Sequence, residues 1–542
     1  AEHAGARLGA VDLGGAFVGR EREIAYLTDF VGETASERRA GAVVVLGPAG
    51  AGKSRLAREL LDRLGDRQEV WVVQGDPLTS STPFGMLRPL FLKLAGVGRS
   101  EPKGDALAKL RGLVEARLGP TEVERVASFL AELLGVAPDD APTPAVAAAR
   151  RDPTLMGDQL RRAMGELVGA ACLDRAVVVV IEDLQWADHA TVTFFAGLLS
   201  TLETLPLCIL GLGRPQSKAT YARLLGDAGA QELKLEALSK AASERLCAAL
   251  MGVAAIDGAV ERLVERAGGN PFFLEELVRA ARGGGAGALP DSVLSVLEAR
   301  LEALPSMTRR TLRAASVFGR RFWEAGLRAL VPKADVAAHL EVLEQAEIIR
   351  ASSSSRFDGH AEWAFRSSAL FEASYARLPR EDRVRAHRAA ARWLEAAGES
   401  DPTLLAEHYE RGGEAKSAVG LLAGAAHLAL EAGDFQQAGA LAERAARCGA
   451  EGAELGALLA DESEARMWLG QNPEALAAAK RALELVEVGS PAWCRSATVA
   501  VTAGSRTQDR SAAARILEAV LTLEGGEGAP PEHTNLIAQA AI

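Results

Sequence analysis

Two kinds of hydrophobic pattern alternate along the first half of the chain. "AVVVL" (42–46), "VWVV" (70–73), "VVVVI" (177–181) and "PLCILGLG" (206–213) are short, nearly unbroken apolar runs. Such runs predict strands covered on both faces, as in a parallel sheet. "SRLARELLDRL" (54–64) instead repeats its apolar positions at helical spacing. Residues 101–153 read as a helical insertion, broken at "APDDAPTP" (137–144) by a surface loop. Further on, "SVLSVLEARLEAL" (292–304) and "MTRRTLRAASVFG" (307–319) predict helices, 336–355 a helix, a strand and a turn, and "AEWAFR" (361–366) a returning strand. From about 385 the chain is Ala- and Leu-rich and helical throughout.

One junction between strand and helix carries chemistry. Gly47, Pro48, Ala49, Gly50, Ala51, Gly52, Lys53 and Ser54 fit G-x-x-x-x-G-K-[ST], after a strand and opening a helix that continues with Arg55. The glycines let backbone N–H groups turn inward around phosphate oxygens, and the helix N-terminus adds partial positive charge. Lys53 would reach the β- and γ-phosphates and Ser54 would hold Mg²⁺, so ATP or ADP with Mg²⁺ is the expected ligand. "RAVVVVIEDLQWAD" (175–188) supplies two acids, Glu182 and Asp183, where ligands bind at the C-terminal edge of open α/β sheets. One acid would hold Mg²⁺ and the other polarise water. By position Glu182 takes the metal side and Asp183 the water. Arg214 closes the next strand. It reads equally as a γ-phosphate sensor or as a solvated strand-end arginine.

In order, "FVGREREIAYL" (17–27), the phosphate loop, "IEDLQWAD", "GLGRP" and "AGGNPFFLEELV" (267–278) resemble the signal-transduction ATPases with numerous domains, a branch of the AAA+-like P-loop proteins. The nearest subgroup is the ATPase region of large LuxR-type regulators, soluble adenylyl cyclases and bacterial serine/threonine kinases, over residues 17–380. The resemblance implies that Val18, Gly19 and Arg20 lie near the adenine and anchor one edge of the site. It puts Asn270 and Pro271 in a helical lid over the base, while the residues themselves also read as a plain helix start. It makes 290–380 a winged helix that packs on the ATPase. Relatives often carry a nucleotide-contacting His where this chain has Ser367, which puts sensing by that module in doubt.

The tail matches itself: Gly433, Ala438, Ala442, Arg444 and Ala445 recur as Gly470, Ala475, Ala479, Arg481 and Ala482, and Ala512 and Ala519 continue the series. Small residues at a fixed offset predict paired helices stacked in a tetratricopeptide-like solenoid, a surface for peptides or protein partners. "AASVFGRRFWEAG" (314–326), "LAEHYERGGE" (405–414) and "VGSPAWCR" (488–495) resemble the C-terminal halves of bacterial serine/threonine kinases. The chain has no H-R-D loop or D-F-G of its own, so the resemblance places a kinase ahead of it. Opening on Ala1 and closing within "NLIAQAAI", the chain reads as part of a longer protein.

The expected architecture is an α/β P-loop NTPase with a parallel, AAA+-like sheet, followed by an all-α lid, a winged helix and an α-solenoid. The boundaries are a linker over 1–16, the ATPase over 17–235, the lid over 236–285, the winged helix over 286–380 and the repeats over 381–542. Its 542 residues exceed one ordinary core. A net charge of −11 argues against DNA and membrane surfaces. The five cysteines, at no metal or redox spacing, read as buried thiols of a cytoplasmic protein. No metal beyond Mg²⁺ is expected, because the eight histidines form no ligand set. Together these predict a slow ATPase switch, with nucleotide-dependent self-association and an attached effector. The alternatives are a degenerate ATPase serving as a scaffold and, more weakly, a transcriptional regulator.

Overall fold

The computed structural model describes residues 17–80, 82–98, 101–137, 142–150, 153–216, 222–226, 229–252, 258–282, 292–352, 355–507 and 516. The linker expected over 1–16, the repeat positions Ala512 and Ala519, "NLIAQAAI" and residues 138–141 lie outside that set. The chain divides into two compact units. The first takes residues up to 80, 85–123 and 165–393; the second takes 81–84, 124–164 and 394 onward.

The first unit is built on five parallel strands: β1 (Gly41–Leu46), β2 (Glu69–Gln74), β3 (Val177–Glu182), β4 (Leu207–Gly213) and β5 (Gln231–Lys234). Their order is β2-β3-β4-β1-β5. Val177 to Ile181 are fully buried, as a central strand covered on both faces requires. The pairings Leu46↔Gly213 and Ile181↔Gly211 bring the C-terminal ends of β1, β3 and β4 to one edge. Gly211 matters there. A Cβ at that position would lie 2.5 Å from Leu184 Cδ1, so the missing side chain lets the turn after β3 fold back against β4. Trp71 is core, its indole N–H donating to Glu69 Oε1 at 2.9 Å.

Three helices follow the sheet, Lys240–Met251, Gly258–Ala267 and Pro271–Arg282. They close around Leu246, Val260, Leu263, Leu274 and Leu277. Next come helices Val293–Glu302, Ser306–Ala315, Glu324–Leu330 and Val336–Gln345, with a small antiparallel sheet of β6 (Arg321–Trp323), β7 (Ile349–Ala351) and β8 (Glu362–Phe365) in the order β6-β8-β7. Trp323 from β6 stacks on Trp393 at 5.5 Å, and Phe318 and Phe357 pack on both rings. This aromatic cluster lies within the first unit, which runs to residue 393.

The second unit pairs Ala415–Glu431 with Phe435–Arg447 and repeats that pair as Gly452–Trp468 with Asn472–Leu485, both displaced by 37 residues. Gly433 and Gly470 end the first helix of each pair at φ 70° and 77°. Ala438, Ala442 and Ala445, like Ala475, Ala479 and Ala482, are fully buried between helices. Arg444 and Arg481 do not share a role: Arg444 pairs with Glu407 and Glu410, whereas Arg481 is exposed. Polar links also recur at a separation of 34, Arg444 to Glu410, Arg495 to Asp461 and Arg506 to Asn472.

The later part of the insertion, from 124 on, belongs to this unit. Val126, Ala127, Phe129 and Leu130 of helix Val123–Leu134 are fully buried. Gly157 lies so near Ala432 that a Cβ would come within 2.9 Å of its carbonyl, and Arg161 Nη1 donates to Ala432 O at 3.0 Å. Within the stretch 17–235, residues 124–164 thus group with the second unit, where these helices bury their apolar faces.

Candidate nucleotide site

The phosphate loop joins β1 to helix Lys53–Leu64. Gly50 and Gly52 stand at φ 80° and 91°, a region side chains rarely adopt. That conformation turns successive N–H groups to one side and opens the helix with no side-chain cap of its own. A Cβ on Gly50 would be 2.8 Å from Asn270 Oδ1, so the loop has been left bare for the lid. Lys53 Nζ donates to the carbonyls of Gly47 and Pro48 at 2.8 and 3.0 Å. Burial pushes its ammonium down to about 8, with Asp183 opposing and Arg214 assisting. A cation this desolvated and surrounded by turned-in N–H groups suits a polyphosphate.

The Ser54 hydroxyl lies close enough to Glu182 to favour its charged form, so a carboxylate and a hydroxyl stand near one another as Mg²⁺ ligands would. Burial raises the Glu182 carboxyl; Arg320 pulls it back, Asp183 raises it further, and Ser54 and Arg58 lower it. Asp183 follows β3 at φ 53°, a conformation an Asp tolerates better than most residues. Its carboxylate accepts from Gln185 Nε2 at 2.9 Å and Gln74 Nε2 at 3.5 Å, and forms an ion pair with Arg320. A metal cluster of His, Cys, Asp or Glu is absent among the described residues.

Arg214 is not a solvated strand end. Its guanidinium bonds Glu372 at 2.6 Å and lies 5.5 Å from the Trp186 ring centre. Trp186, with Arg214, Pro48, Ala49, Gln185 and Gln216, lines a cavity of about 340 Å³ beside the loop.

The residues expected at the adenine edge, Val18, Gly19 and Arg20, brace the loop against the lid. Arg20 is buried, and its guanidinium donates to Glu23, to Glu236 O at 2.6 Å and to Ala51 O at 3.4 Å. Gly19, at φ 77°, passes so close to Ala242 that a Cβ would sit 2.5 Å from its side chain, and Val18 packs on the lid core. Asn270 caps the lid helix and reaches the loop. Its Oδ1 caps Phe273 N at 3.1 Å, and its Nδ2 donates to Ala49 O at 3.1 Å. Phe272 N reaches Gly50 O at 3.3 Å, and Pro271 Cγ comes within 3.8 Å of where a Gly52 Cβ would be. The lid thus rests on the phosphate loop itself. Ser367 caps helix Ser368–Ala376 through Leu370 N.

Sequence reasoning missed Arg320, Arg350, Gln74 and Gln185. Arg320 had been quoted only within "AASVFGRRFWEAG", where nothing local marks an arginine before a three-residue strand as facing an acid 137 residues away. Four of the five cysteines are buried; Cys448 is partly exposed and bonds Glu410. No helix among the described residues is long and apolar enough to cross a membrane.

Residues 16–210 match the family described as AAA ATPase domain, and residues 239–283 one described as a domain of unknown function (DUF8739). Nucleotide binding is what that match implies for residues 16–210. An uncharacterized protein of Rhizobium meliloti (strain 1021) is 26% identical over 450 residues, a match taking in 76% of this chain and 40% of the relative. The chain therefore spans less than half the length of that relative. Solved structures to which the chain shows similarity include a signal transduction ATPase with numerous domains (STAND) carrying a tetratricopeptide repeat sensor, from Pyrococcus horikoshii. It is 14% identical with a TM-score of 0.43, over 97% of this chain and 73% of that one. Another is Drosophila ORC bound to DNA, 15% identical with a TM-score of 0.30, over 68% of this chain and 90% of that one. The chain thus joins a stretch matching the AAA ATPase domain to a helical region with paired helices.

Proposed function

We propose that this protein is a nucleotide-dependent switch. The site holds ATP or ADP with Mg²⁺ and hydrolyses ATP slowly. The nucleotide sets the arrangement of the lid and the β6–β8 module, which we read as a winged helix. The helical repeats sense a signal or protein partner, and the output passes to an effector such as a protein kinase, with nucleotide-dependent self-association as one outcome. One observation carries this reading. Three stretches far apart in sequence meet around the phosphate loop and the acid pair: the loop itself, the lid through Asn270 and Phe272, and the β6 edge through Arg320. A ligand bound there changes the balance of contacts among all three, as a switch requires.

The residues divide the work. The loop N–H groups and Lys53 cradle phosphates; Ser54 and Glu182 hold the cation; Asp183 takes the proton of the attacking water; Arg20 holds the loop to the lid entrance. Mg²⁺-ATP, when bound, supplies an electrophilic γ-phosphorus and a cation that spreads developing charge. The scaffold alternative draws on the pairing of Asp183 with Arg320, which occupies the water-activating acid.

The test is mass and small-angle scattering of the whole chain with Mg²⁺-ADP and with a non-hydrolysable ATP analogue. The switch predicts a different shape or mass between the two. Identical shape and mass, with both nucleotides bound, would leave the scaffold.

A further inference from the structure

Ser367, where a nucleotide-contacting His was missed, is spent on capping a helix. The same module nevertheless sends a charge into the site. Arg320 immediately precedes β6, and its backbone carbonyl accepts from Phe365 N at 2.9 Å, so its Cα is tied to β8. Its guanidinium is largely buried and ion-pairs with Asp183 Oδ2. Gly319 before it turns the chain at φ 103°, a conformation side chains rarely adopt.

Arg320 is not alone. Glu182 feels Arg320 and Arg58, and Arg350 on β7 feels Arg58, Arg320 and Arg321 as well as Glu182. Burial, together with these like charges, pushes the Arg350 guanidinium down to about 10. Arg320, Arg58 and Arg350 thus act on the acid pair, whereas Arg321 pairs with Glu362 at 3.4 Å. A crowd of partly desolvated cations accommodates one more anion readily.

We infer that Arg320 is the residue that tells ATP from ADP: paired with Asp183 it withholds the water-activating acid, and it exchanges that carboxylate for the γ-phosphate. A terminal phosphate offers more charge than a carboxylate and matches the planar guanidinium fork with two oxygens. Release of Arg320 then frees Asp183 Oδ2 to accept a proton from water. Recognition of the third phosphate and readiness of the acid become one event. Because the β6 backbone is fixed to β8 and Trp323 to Trp393, the whole module shares any move Arg320 makes. The inference rests on the reading that this pocket takes ATP. The bland alternative is a salt bridge that merely fastens β6 to the acid edge.

The two differ in a ratio. Dissociation constants for Mg²⁺-ADP and for a Mg²⁺-bound non-hydrolysable ATP analogue would be measured by calorimetry on the full chain, for the wild type, Arg320→Ala and Arg320→Lys. Melting curves confirm that each folds, and Arg320→Gln replaces the alanine variant if that one does not. Arg320→Ala is expected to bind ADP within about threefold of wild type and to lose about tenfold or more for the ATP analogue, the usual scale for one charge-assisted bond. Arg320→Lys, with a charge but no fork, should recover part of that loss. An unchanged ratio, or equal losses for both nucleotides, overturns the inference while leaving the pocket intact. A wild type that binds neither nucleotide overturns both readings.

Discussion

The two sides of the nucleotide site are built by different rules. The sheet side is one contiguous loop plus the end of one strand. Its recognition is made by backbone, with Gly50 and Gly52 at positive φ and the helix opening at Lys53. The covering side is made by single side chains on remote elements, Asn270 at a helix cap and Arg320 at a strand edge. Backbone recognition needs a run of residues in a fixed order and leaves a motif behind. Side-chain recognition needs one residue that tertiary structure delivers, and leaves none.

Breaking the sheet side should cost most. Lys53→Ala removes the desolvated ammonium and is expected to weaken ATP and ADP alike by about a hundredfold, measured by equilibrium binding. A loss confined to ATP would mean that Lys53 meets the γ-phosphate alone. Gly50→Ala attacks the seam between the two sides. It forces a side chain to φ 80° and sets its Cβ 2.8 Å from Asn270 Oδ1, so a loss of about 2 kcal/mol in folding stability is expected by denaturant titration. Stability equal to wild type would show that the lid does not rest on the loop.

The lid also carries a carboxyl in the wrong medium. Burial raises Glu275 to about 7, with Arg279 pulling it down and Glu276 pushing it up. Its folded value lies above its ordinary 4.5, so the folded protein holds the proton more tightly than the unfolded chain does. The group therefore costs stability above pH 7, and the cost fades as pH falls from 7 towards 4.5. Glu275→Gln should stabilise the protein by about 1–2 kcal/mol at pH 8 and by nothing near pH 4.5, read from melting at the two pH values. A gain of the same size at both would contradict this. The smallest effect belongs to Ser367→Ala. Loss of the cap should cost about 1 kcal/mol of stability and leave both nucleotide affinities as they were. A change in affinity would restore Ser367 to the site.

What was legible in the sequence follows the same division. The strands 42–46, 177–181 and 206–213 and the loop 47–54 were readable because buried parallel strands and phosphate loops are local patterns. The 37-residue offset of the tail was readable because the helices recur at that offset. Residues 124–164 were not, since an amphipathic helix does not say which unit covers its apolar face. Arg214 stayed ambiguous because its choice between water and Glu372 depends on a helix 158 residues later. Arg320 looked like one basic residue among many, and only the pairing of β6 with β8 turns it towards Asp183.

The most direct test of the account is chemical. The purified full chain would be denatured and any released nucleotide identified and counted by chromatography, with Lys53→Ala treated in parallel. We predict close to one ADP per chain from the wild type and none from the variant. A wild type that releases no nucleotide and takes up neither added ADP nor added ATP would contradict the central claim that these residues form a working nucleotide site.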